Sequence, residues 1–437
     1  MPAATRSPPR SAGRWDWTKT RDRIDRRGQR RTGRGLRRAI RAGWERLESP
    51  VAPYYLILGS TVLLTVFGLV MVLSASSVEL LTKDRSPYSA FINQAVFAGF
   101  GALGAFVASQ LTLRWWKRLA FPVYALAVVL LAAVTRFGVE IGGNKNWLAF
   151  GPITLQPSEL AKLALVLVGG AVLTRKRPLI AQARHALIPY VFPLAIIAIG
   201  LVMAGQDLGT TLILGLIVGT ALFVAGMRLR VFGVFAVIVA TLAIVGVATR
   251  GSRMSRISAW VGSCSDVHAD GCWQKVHGLY AMADGGWWGV GLGASREKWS
   301  WLPEAHNDFI FAIVGEELGL PGTLALLALY VALAFGCYRL IVLSKDNFVR
   351  ITTAATMVWI LGQAAINIGS VTGLLPIIGI PLPLLSSGGS ALITTLVALG
   401  MLLSFARNEP AAKRMLGSRP SVLRSAMAVL PARGKRS

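Results

Sequence analysis

The chain has 437 residues, of which 54% are hydrophobic and 15% are charged, and its formal net charge is +26. A soluble domain carries about 25% charged residues, so this composition excludes an ordinary soluble enzyme. The positive charge lies mostly in two tails and in short loops between apolar segments, which is typical of the cytoplasmic side of membrane proteins. Basic tails also occur in nucleic-acid-binding proteins, but no folded reader module accompanies them here, so we expect no nucleic-acid partner.

The chain begins with a polar, basic segment, residues 1–50, which is rich in Arg, Gly, Ser and Pro and lacks the apolar core of a signal peptide. We predict a disordered cytoplasmic arm for it, because such a composition cannot bury a core. Residues 51–407 then form the predicted transmembrane domain, and residues 408–437 form a second basic cytoplasmic tail.

Apolar segments of about 17–22 residues recur through the transmembrane domain and predict an all-α polytopic membrane protein with about ten helices. Their basic connections, such as residues 175–177, place both termini and the loops after even-numbered helices in the cytoplasm. The eighth helix is the longest, and Pro321 is expected to bend it. The predicted helices cover residues 55–73, 90–108, 119–134, 160–173, 189–204, 208–224, 231–248, 309–340, 351–371 and 391–405.

This topology makes residues 250–306, between helices seven and eight, a large extracytoplasmic loop. Cys264 and Cys272 lie in it, and an oxidising compartment favours a disulfide between them. A zinc site that includes His268 is the alternative, although the spacing matches no common structural zinc motif. The glycine-rich residues 284–293 follow, and they either approach a phosphate or sugar closely or form turns with tryptophans at the membrane interface.

Ionisable residues at the end of this loop stand directly before an apolar helix. They are Glu304, His306 and Asp308, and the apolar residues 309–314 follow them. Ionisable groups beside hydrocarbon are costly, so their presence predicts a functional site. Asp308, at a helix start, is the best candidate for a general base, and a plain helix cap is the alternative.

Further polar residues, from earlier parts of the chain, lie on the same predicted face of the membrane. Glu159 and Lys162 are three residues apart on one helix and are predicted to form an ion pair. The alternative is that Lys162 and Lys145 bind an anionic head group, with Glu159 as a further substrate-binding candidate. Asp207 either caps the next helix or faces a cavity.

Residues 373–390 are apolar but contain too many prolines and glycines for a continuous helix, so they must be buried in protein or line a cavity. The segment ends in Ser386, Ser387 and Ser390 at a predicted helix start. Hydroxyl groups and backbone amides in this position suit a phosphate group.

Four motifs, QPSELAK, QDLGTT, LPEAHNDFIFAIVGEELG and GLLPIIGIPLPLLSSGGS, follow one another within residues 50–410. As a set they resemble the SEDS family (FtsW, RodA and SpoVE), membrane glycosyltransferases that polymerise peptidoglycan. The third motif resembles FtsW more than RodA, and the basic arm and tail resemble those of actinobacterial FtsW proteins.

The resemblance implies ten transmembrane helices, cytoplasmic termini and a large loop between helices seven and eight, as the loops themselves predict. It implies lipid II as the substrate and a class B penicillin-binding transpeptidase as a partner, beside other divisome membrane proteins. The implied location is the plasma membrane at the division septum.

The family's essential aspartate falls on Asp308, and the glutamine of its Tyr-Gln element falls on Gln274. Two positions depart from the family pattern. The arginine before tryptophan is Asn146 here, with Lys145 one place earlier, and the serine after the glutamine is Gly278.

The implied reaction is attack of a sugar 4-hydroxyl on the anomeric carbon of a lipid-linked glycan, with undecaprenyl pyrophosphate leaving. Asp308 is the predicted base, with Glu304 as a second carboxylate, and either of them is a candidate ligand for magnesium or manganese. His306 and Gln274 are further substrate-binding candidates. The predicted cations for the pyrophosphate are Lys145, Lys162, Arg253 and Arg256.

Two other functions remain open from the sequence. A lipid II flippase would carry charged residues through the whole membrane depth, whereas here they cluster at one face. A non-catalytic divisome scaffold would not need Asp308 for polymerisation.

Overall fold

The computed structural model describes residues 49–417, except for residues 83, 142–143, 152, 181–186, 231, 235, 238–240, 242–250, 263, 265–271 and 300. Most of the predicted arm and tail, most of the predicted seventh helix and His268 therefore lie outside the described residues. The structural description below concerns the unit that begins at Pro53.

The described chain is mainly helical, as predicted. In chain order the helices are α1 Ala52–Thr82, α2 Ser89–Gln110, α3 Leu113–Phe137, α4 Pro157–Arg175, α5 Ile196–Ala204, α6 Leu208–Ala225, α7 Gly251–Val261, α8 Cys272–Gly285, α9 Ile310–Leu343, α10 Asn347–Val371, α11 Gly389–Asn408 and α12 Pro410–Gly417.

Eight of these helices, α1–α4, α6 and α9–α11, are long and apolar enough to cross a membrane, and each matches one of the predicted spans. The fifth predicted span is helical over Tyr190–Ala204 but is irregular at its start. It consists of a π-helical turn, Tyr190–Ala195, that leads into α5, with non-helical backbone angles at Phe192. Pro193 explains the interruption, because proline has no backbone N–H to donate. The total of ten helices stays a prediction.

The connection between α3 and α4 differs from the all-α prediction. It contains three short strands, β1 Val139–Ile141, β2 Asn144–Phe150 and β3 Ile153–Leu155, which form an antiparallel sheet in the order β1-β2-β3. Side chains of β2 alternate in exposure, with Asn146 and Leu148 buried and Lys145 exposed. This alternation is the period-two pattern of a strand, in a stretch too short to be distinguished in the sequence.

α4 is the central helix of the bundle. It is buried along almost its whole length and packs against α3, α6 and α10. α2 and α11 pack against each other through small residues, and a Cβ atom at Gly400 would lie only 2.4 Å from the Ala105 carbonyl oxygen. Close backbone approach of this kind is typical of helices that pack in a membrane.

α9 is broken near its start. Gly319 has a φ of 62° and a ψ of −156°, two residues before Pro321, where the sequence predicted the bend. Glycine adopts this conformation without the steric cost that any other residue has, so the break falls there.

One end of the bundle holds most of the polar residues that the sequence singled out, and we call it the site end. α4, α6, α9 and α11 begin there. Direct hydrogen bonds join their starting segments, from Gln156 to Asp207 and to Ser390, and from Ser386 to Asn307.

Candidate functional site

Asp308 lies two residues before the start of α9, in a series of turns at the site end. Its Oδ1 atom is buried and has no hydrogen-bond partner among the described residues. The pKa of this carboxyl is raised to about 7: burial is the largest cause, the charges of Glu304 and Asp207 add to the rise, and Arg256 opposes it. A carboxyl group with a pKa near 7 can accept a proton and release it again close to neutral pH.

Glu304, the other predicted carboxylate, has a different environment. Its side chain is exposed, and Oε2 accepts a hydrogen bond from Asn307 at 3.3 Å. Its backbone adopts a φ of 58°, a left-handed conformation that non-glycine residues rarely adopt. The Glu304 carbonyl oxygen accepts from the N–H groups of Asn307 and Phe309. Glu304 therefore shapes the turn that carries Asp308.

Arg256 of α7 supplies a positive charge beside Asp308. A Cβ atom built on Gly379 would lie 3.4 Å from Asp308 Oδ2 and 3.6 Å from Arg256 Nη1. The carboxylate and the guanidinium therefore border the same point of the segment before α11. Arg253, one turn earlier on α7, donates through Nη2 to the Gln206 carbonyl oxygen at 2.5 Å.

The serines at the end of the proline-rich segment hold the Asp308 turn in place. Ser386 Oγ donates to the Asn307 carbonyl oxygen at 2.6 Å and accepts from the Leu382 N–H at 2.7 Å. The Ser387 N–H donates to the His306 carbonyl oxygen at 3.0 Å. These bonds give the Ser386 hydroxyl and the Ser387 backbone a role in holding the turn, and the predicted phosphate contacts stay a prediction.

Ser390 and Gln156 join the starts of α11 and α4. Ser390 Oγ accepts from the Gln156 N–H at 3.2 Å. Ser390 is buried, so its hydroxyl also belongs to the scaffold and does not present itself to a phosphate group.

Asp207 ties three elements together at the site end. Its carboxylate accepts from Asn146 Nδ2 at 2.9 Å, from Gln156 Nε2 at 3.0 Å, and from both the N–H and the hydroxyl of Thr210 at 2.8 Å. It therefore caps α6, as predicted, and also binds β2 and the segment before α4. The neutral amide of Asn146 takes the place at which the family pattern has an arginine.

Glu159 and Lys162 form a buried ion pair on α4. Lys162 Nζ lies 2.8 Å from Glu159 Oε1, with the two side chains 2% and 4% exposed, and also donates to Gln363 Oε1 at 3.0 Å. Gln363 in turn donates to the Pro381 carbonyl oxygen at 2.8 Å. Of the two roles open from the sequence, the geometry favours the structural ion pair over binding of a head group by Lys162.

The glycine-rich segment packs against α9. The Val290 and Gly291 N–H groups donate to the carbonyl oxygens of Glu316 and Glu317, at 2.9 and 3.0 Å. These carbonyl groups lie just before the break at Gly319, so the segment satisfies acceptors that the broken helix leaves unpaired.

The carboxylates of Glu316 and Glu317 are buried and bound in the same region. Glu316 accepts from the Ser295 hydroxyl at 2.5 Å and from the Arg296 N–H at 2.6 Å. Glu317 accepts from the Ser74 hydroxyl of α1 at 2.6 Å and lies 3.1 Å from Lys298 Nζ. Both acidic residues therefore fix the segment that precedes the Asp308 turn.

Three further predicted residues lie elsewhere at the site end. Lys145 is exposed and donates to the Thr135 carbonyl oxygen at 3.2 Å, Gln274 lies half-buried in α8, and His306 Nδ1 lies 3.2 Å from Glu79 Oε2 of α1. The structure joins Cys264 and Cys272 by a disulfide, with their Cα atoms 5.6 Å apart.

The described residues show no metal site formed by their own side chains alone. Within the described ranges no group of three or more His, Cys, Asp or Glu side chains is arranged to hold a metal ion. Asp207, the nearby carboxylate, already accepts four hydrogen bonds. We therefore derive no step through a metal.

Three buried polar residues of the site end were missed in the sequence: Gln363, Asn367 and Lys298. Gln363 and Asn367 are four residues apart in an apolar helix and therefore lie on one face of it, which is a signal that helical spacing provides. Lys298 contacts Glu317 across 19 residues of an irregular segment, and no local spacing predicts such a pair.

The fold and the site define a class of protein: a polytopic helical membrane protein with a partly shielded carboxylate and a guanidinium at one end of its bundle. Residues 54–410 match the model of the FtsW/RodA/SpoVE family, which is described as a family of cell cycle proteins. The chain belongs to this family, and the prediction made from its four motifs is confirmed.

Similar proteins include the FtsW proteins of Mycobacterium tuberculosis and Mycobacterium bovis, named "probable peptidoglycan glycosyltransferase FtsW". Each is 40% identical over 369 residues, which cover 84% of this chain and 70% of the relative. The protein of the same name from Legionella pneumophila is 34% identical over 357 residues, covering 79% of this chain and 89% of the relative.

Solved structures of the same fold agree with this assignment. Thermus thermophilus rod shape determining protein RodA has a TM-score of 0.62 at 28% identity, covering 82% of this chain and 97% of RodA. A chain from a peptidoglycan synthase complex, described in terms of coordinated polymerization and crosslinking, has a TM-score of 0.65 at 27% identity. That similarity covers 81% of this chain and 97% of the other.

Proposed function

We propose that this chain is a peptidoglycan glycosyltransferase that polymerises lipid II into glycan strands for septal wall synthesis during cell division. The observation that carries the proposal is that Asp308, a carboxyl group with a pKa near 7, and Arg256, a permanent positive charge, border the same point at Gly379. Acceptor activation and leaving-group stabilisation need these two kinds of group. Membership of the family and the names of its relatives support the substrate class.

The reaction joins two lipid-linked glycans. The 4-hydroxyl oxygen of the acceptor sugar attacks the anomeric carbon of the donor, and a new C–O bond forms. The hydroxyl proton passes to Asp308 Oδ1, while the bond from the anomeric carbon to the pyrophosphate oxygen breaks. The pyrophosphate leaves on its lipid with the bonding electron pair.

The arginines of α7 are the best candidates to stabilise that leaving group. Arg256 lies beside Asp308, and Arg253 lies one turn away on the same helix. Lys145 is exposed on β2 and can reach a ligand without breaking a buried pair. Lys162 is not proposed for this role, since its charge is already compensated by Glu159.

The partner and the location are parts of the same proposal. A class B penicillin-binding transpeptidase would crosslink the strands that this chain makes, and the similarity to a chain of a peptidoglycan synthase complex supports such a partner. Other divisome membrane proteins would hold the pair at the septum, with both termini of this chain in the cytoplasm. The predicted magnesium or manganese ion stays a prediction, and chelation with EDTA tests it.

The test is polymerisation by the purified full-length chain in complex with its transpeptidase, with fluorescently labelled lipid II and gel analysis of product length. We expect glycan strands from the wild-type complex and none from Asp308→Ala. Transfer of lipid II across vesicle membranes without polymer would favour the flippase. If the wild-type complex and the Asp308→Ala complex polymerise lipid II equally well, this chain would be assigned the scaffold role.

A further inference from the structure

Asn367 of α10 lies at the centre of the site end. Its side chain is only 3% exposed. Its Nδ2 atom donates two hydrogen bonds, to the carbonyl oxygens of Asp308 and of Ile380, each at 2.7 Å. One amide group therefore holds the turn of the candidate base against the proline-rich segment.

These two bonds determine the orientation of the amide group. A flipped amide would direct Oδ1 at two carbonyl oxygens, and all three atoms are acceptors only. Oδ1 therefore faces away from both carbonyl groups. It is buried, and no residue in the described part of the chain donates a hydrogen bond to it.

A second buried acceptor lies beside it. Asp308 Oδ1 is also unpaired with respect to the described residues, and Asp308 and Asn367 line one small cavity, together with Ser370 and apolar side chains. Buried acceptors are almost always hydrogen-bonded, so these two oxygens need donors that the described residues do not supply, and water fills this role until a ligand with hydroxyl groups replaces it. A sugar ring, with hydroxyl groups on adjacent carbons, brings two donors at short separation.

We propose that Asn367 is a second active-site residue: Nδ2 positions Asp308, and Oδ1 accepts a hydrogen bond from a hydroxyl adjacent to the attacking hydroxyl of the acceptor sugar. The inference rests on the proposed function, because it takes a lipid-linked sugar as the ligand. Asp308 Oδ1 receives the proton of the attacking hydroxyl, and Asn367 fixes the orientation of the ring while that transfer occurs.

The test compares steady-state polymerisation by the purified full-length complex and its Asn367→Leu and Asn367→Ser variants. Leucine keeps the volume but removes the amide, and serine keeps one hydroxyl in its place. We expect kcat to fall at least about 100-fold in Asn367→Leu and less in Asn367→Ser, with KM for lipid II changed by less than about threefold.

Thr352→Val is the matched control. Thr352 lies on the same helix but outside the cavity that Asp308 and Asn367 line, and its hydroxyl donates to the Phe348 carbonyl oxygen at 2.6 Å, so its loss affects the helix without removing a contact to Asp308. We expect a lower thermal midpoint and a kcat within about threefold of wild type.

A kcat for Asn367→Leu within about threefold of wild type, measured on folded complex, would overturn the inference. If the Asn367→Leu complex does not assemble, the Asn367→Ser complex takes its place, and a kcat within about threefold of wild type for that variant overturns the inference. A requirement for Mg²⁺ that rises in Asn367→Leu would assign the two oxygens to a cation and also overturn it.

Asp308→Asn is measured alongside to separate the inference from the proposed function. An inactive Asp308→Asn with fully active Asn367 variants refutes the role of Asn367 alone. Polymerisation by Asp308→Asn at the wild-type rate refutes the base assignment in the proposed function.

Discussion

Asp308 and Glu304 show how two carboxylates four residues apart acquire different roles. Asp308 has a shielded oxygen atom and a pKa raised to about 7, whereas the Glu304 side chain is exposed and bonded to Asn307. Burial disfavours a charge that water would otherwise stabilise, so only Asp308 is suited to exchange a proton near neutral pH. The sequence identified both carboxylates but offered no means of predicting which of them the fold would shield from water.

The rate of polymerisation should depend on the protonation of Asp308. A general base works as the carboxylate, so kcat/KM should fall about tenfold per pH unit below about pH 7. Glu304→Gln removes a negative charge that raises the pKa of Asp308, so it should move this fall to lower pH. Rates between about pH 5 and about pH 9 test both statements. A rate that is constant down to pH 5 would contradict the assignment.

The raised pKa of Asp308 also makes the stability of the fold depend on pH, and stability decreases as the pH rises. The folded state holds the Asp308 proton more tightly than the unfolded chain does, so the stabilisation is complete below about pH 4. It is lost as the pH rises through about 7. Asp308→Asn should therefore not lower the thermal midpoint at neutral pH, which makes it a suitable variant for rate measurements.

At the scale of elements, the break in α9 organises the candidate site. Gly319 interrupts the helix, Val290 and Gly291 satisfy the carbonyl groups before the break, and the carboxylate of Glu317 binds α1 through Ser74. A Cβ atom at Gly289 would lie 2.3 Å from the Glu317 carbonyl oxygen, so the two segments meet backbone to backbone. The glycine-rich segment therefore fixes the approach to the Asp308 turn.

The ion pair of Glu317 and Lys298 is the most buried part of this junction, with side chains 0% and 2% exposed. Glu317→Gln leaves the Lys298 ammonium without its counter-charge, and breaking a buried pair in this way costs about 3–5 kcal/mol of stability. We expect a lower thermal midpoint and partial activity. Adding Lys298→Met should recover part of the lost stability, and a double-mutant cycle measures the recovery. Additive losses would show that the two charges do not interact.

The helices and the motif residues could be predicted from the sequence because both signals are local. Apolar segments defined the spans, and a helix cap was one of the two roles that the sequence offered for Asp207. Asn367 and Lys298 were missed because their importance arises from contacts with Asp308 and Glu317, which come from other parts of the chain. The role of Ser386 in holding the Asp308 turn was not predicted, because the sequence cannot show that backbone groups occupy its hydroxyl.

At the scale of the whole molecule, polar residues gather at the site end and basic connections lie at the other ends of the same helices. Residues 114–118 lie at the start of α3, and residues 175–177 lie at the end of α4. Flanking Lys and Arg residues resist translocation, so this arrangement predicts a cytoplasmic basic end and an extracytoplasmic site end.

Cysteine labelling tests that orientation. Cys337 is buried and Cys264 is joined to Cys272, so the native cysteines of the described residues should react little with a thiol reagent. Labelling should therefore come mainly from an introduced cysteine. Lys176→Cys should resist an impermeant reagent applied from outside, whereas Thr154→Cys, exposed on β3, should react. Reaction at position 176 with protection at position 154 would reverse the topology.

The central claim, that Asp308 is the base of a glycan polymerase, is tested most directly by Asp308→Asn in purified complex with the transpeptidase. The change keeps the shape of the side chain and removes its basicity, so we predict that polymerisation falls about 10²–10⁴-fold. Binding of the transpeptidase and the thermal midpoint should be unchanged, with Glu304→Gln as the matched control that still makes long strands. Near-normal polymer length and rate from Asp308→Asn on labelled lipid II would contradict the account and move the catalytic role to Glu304.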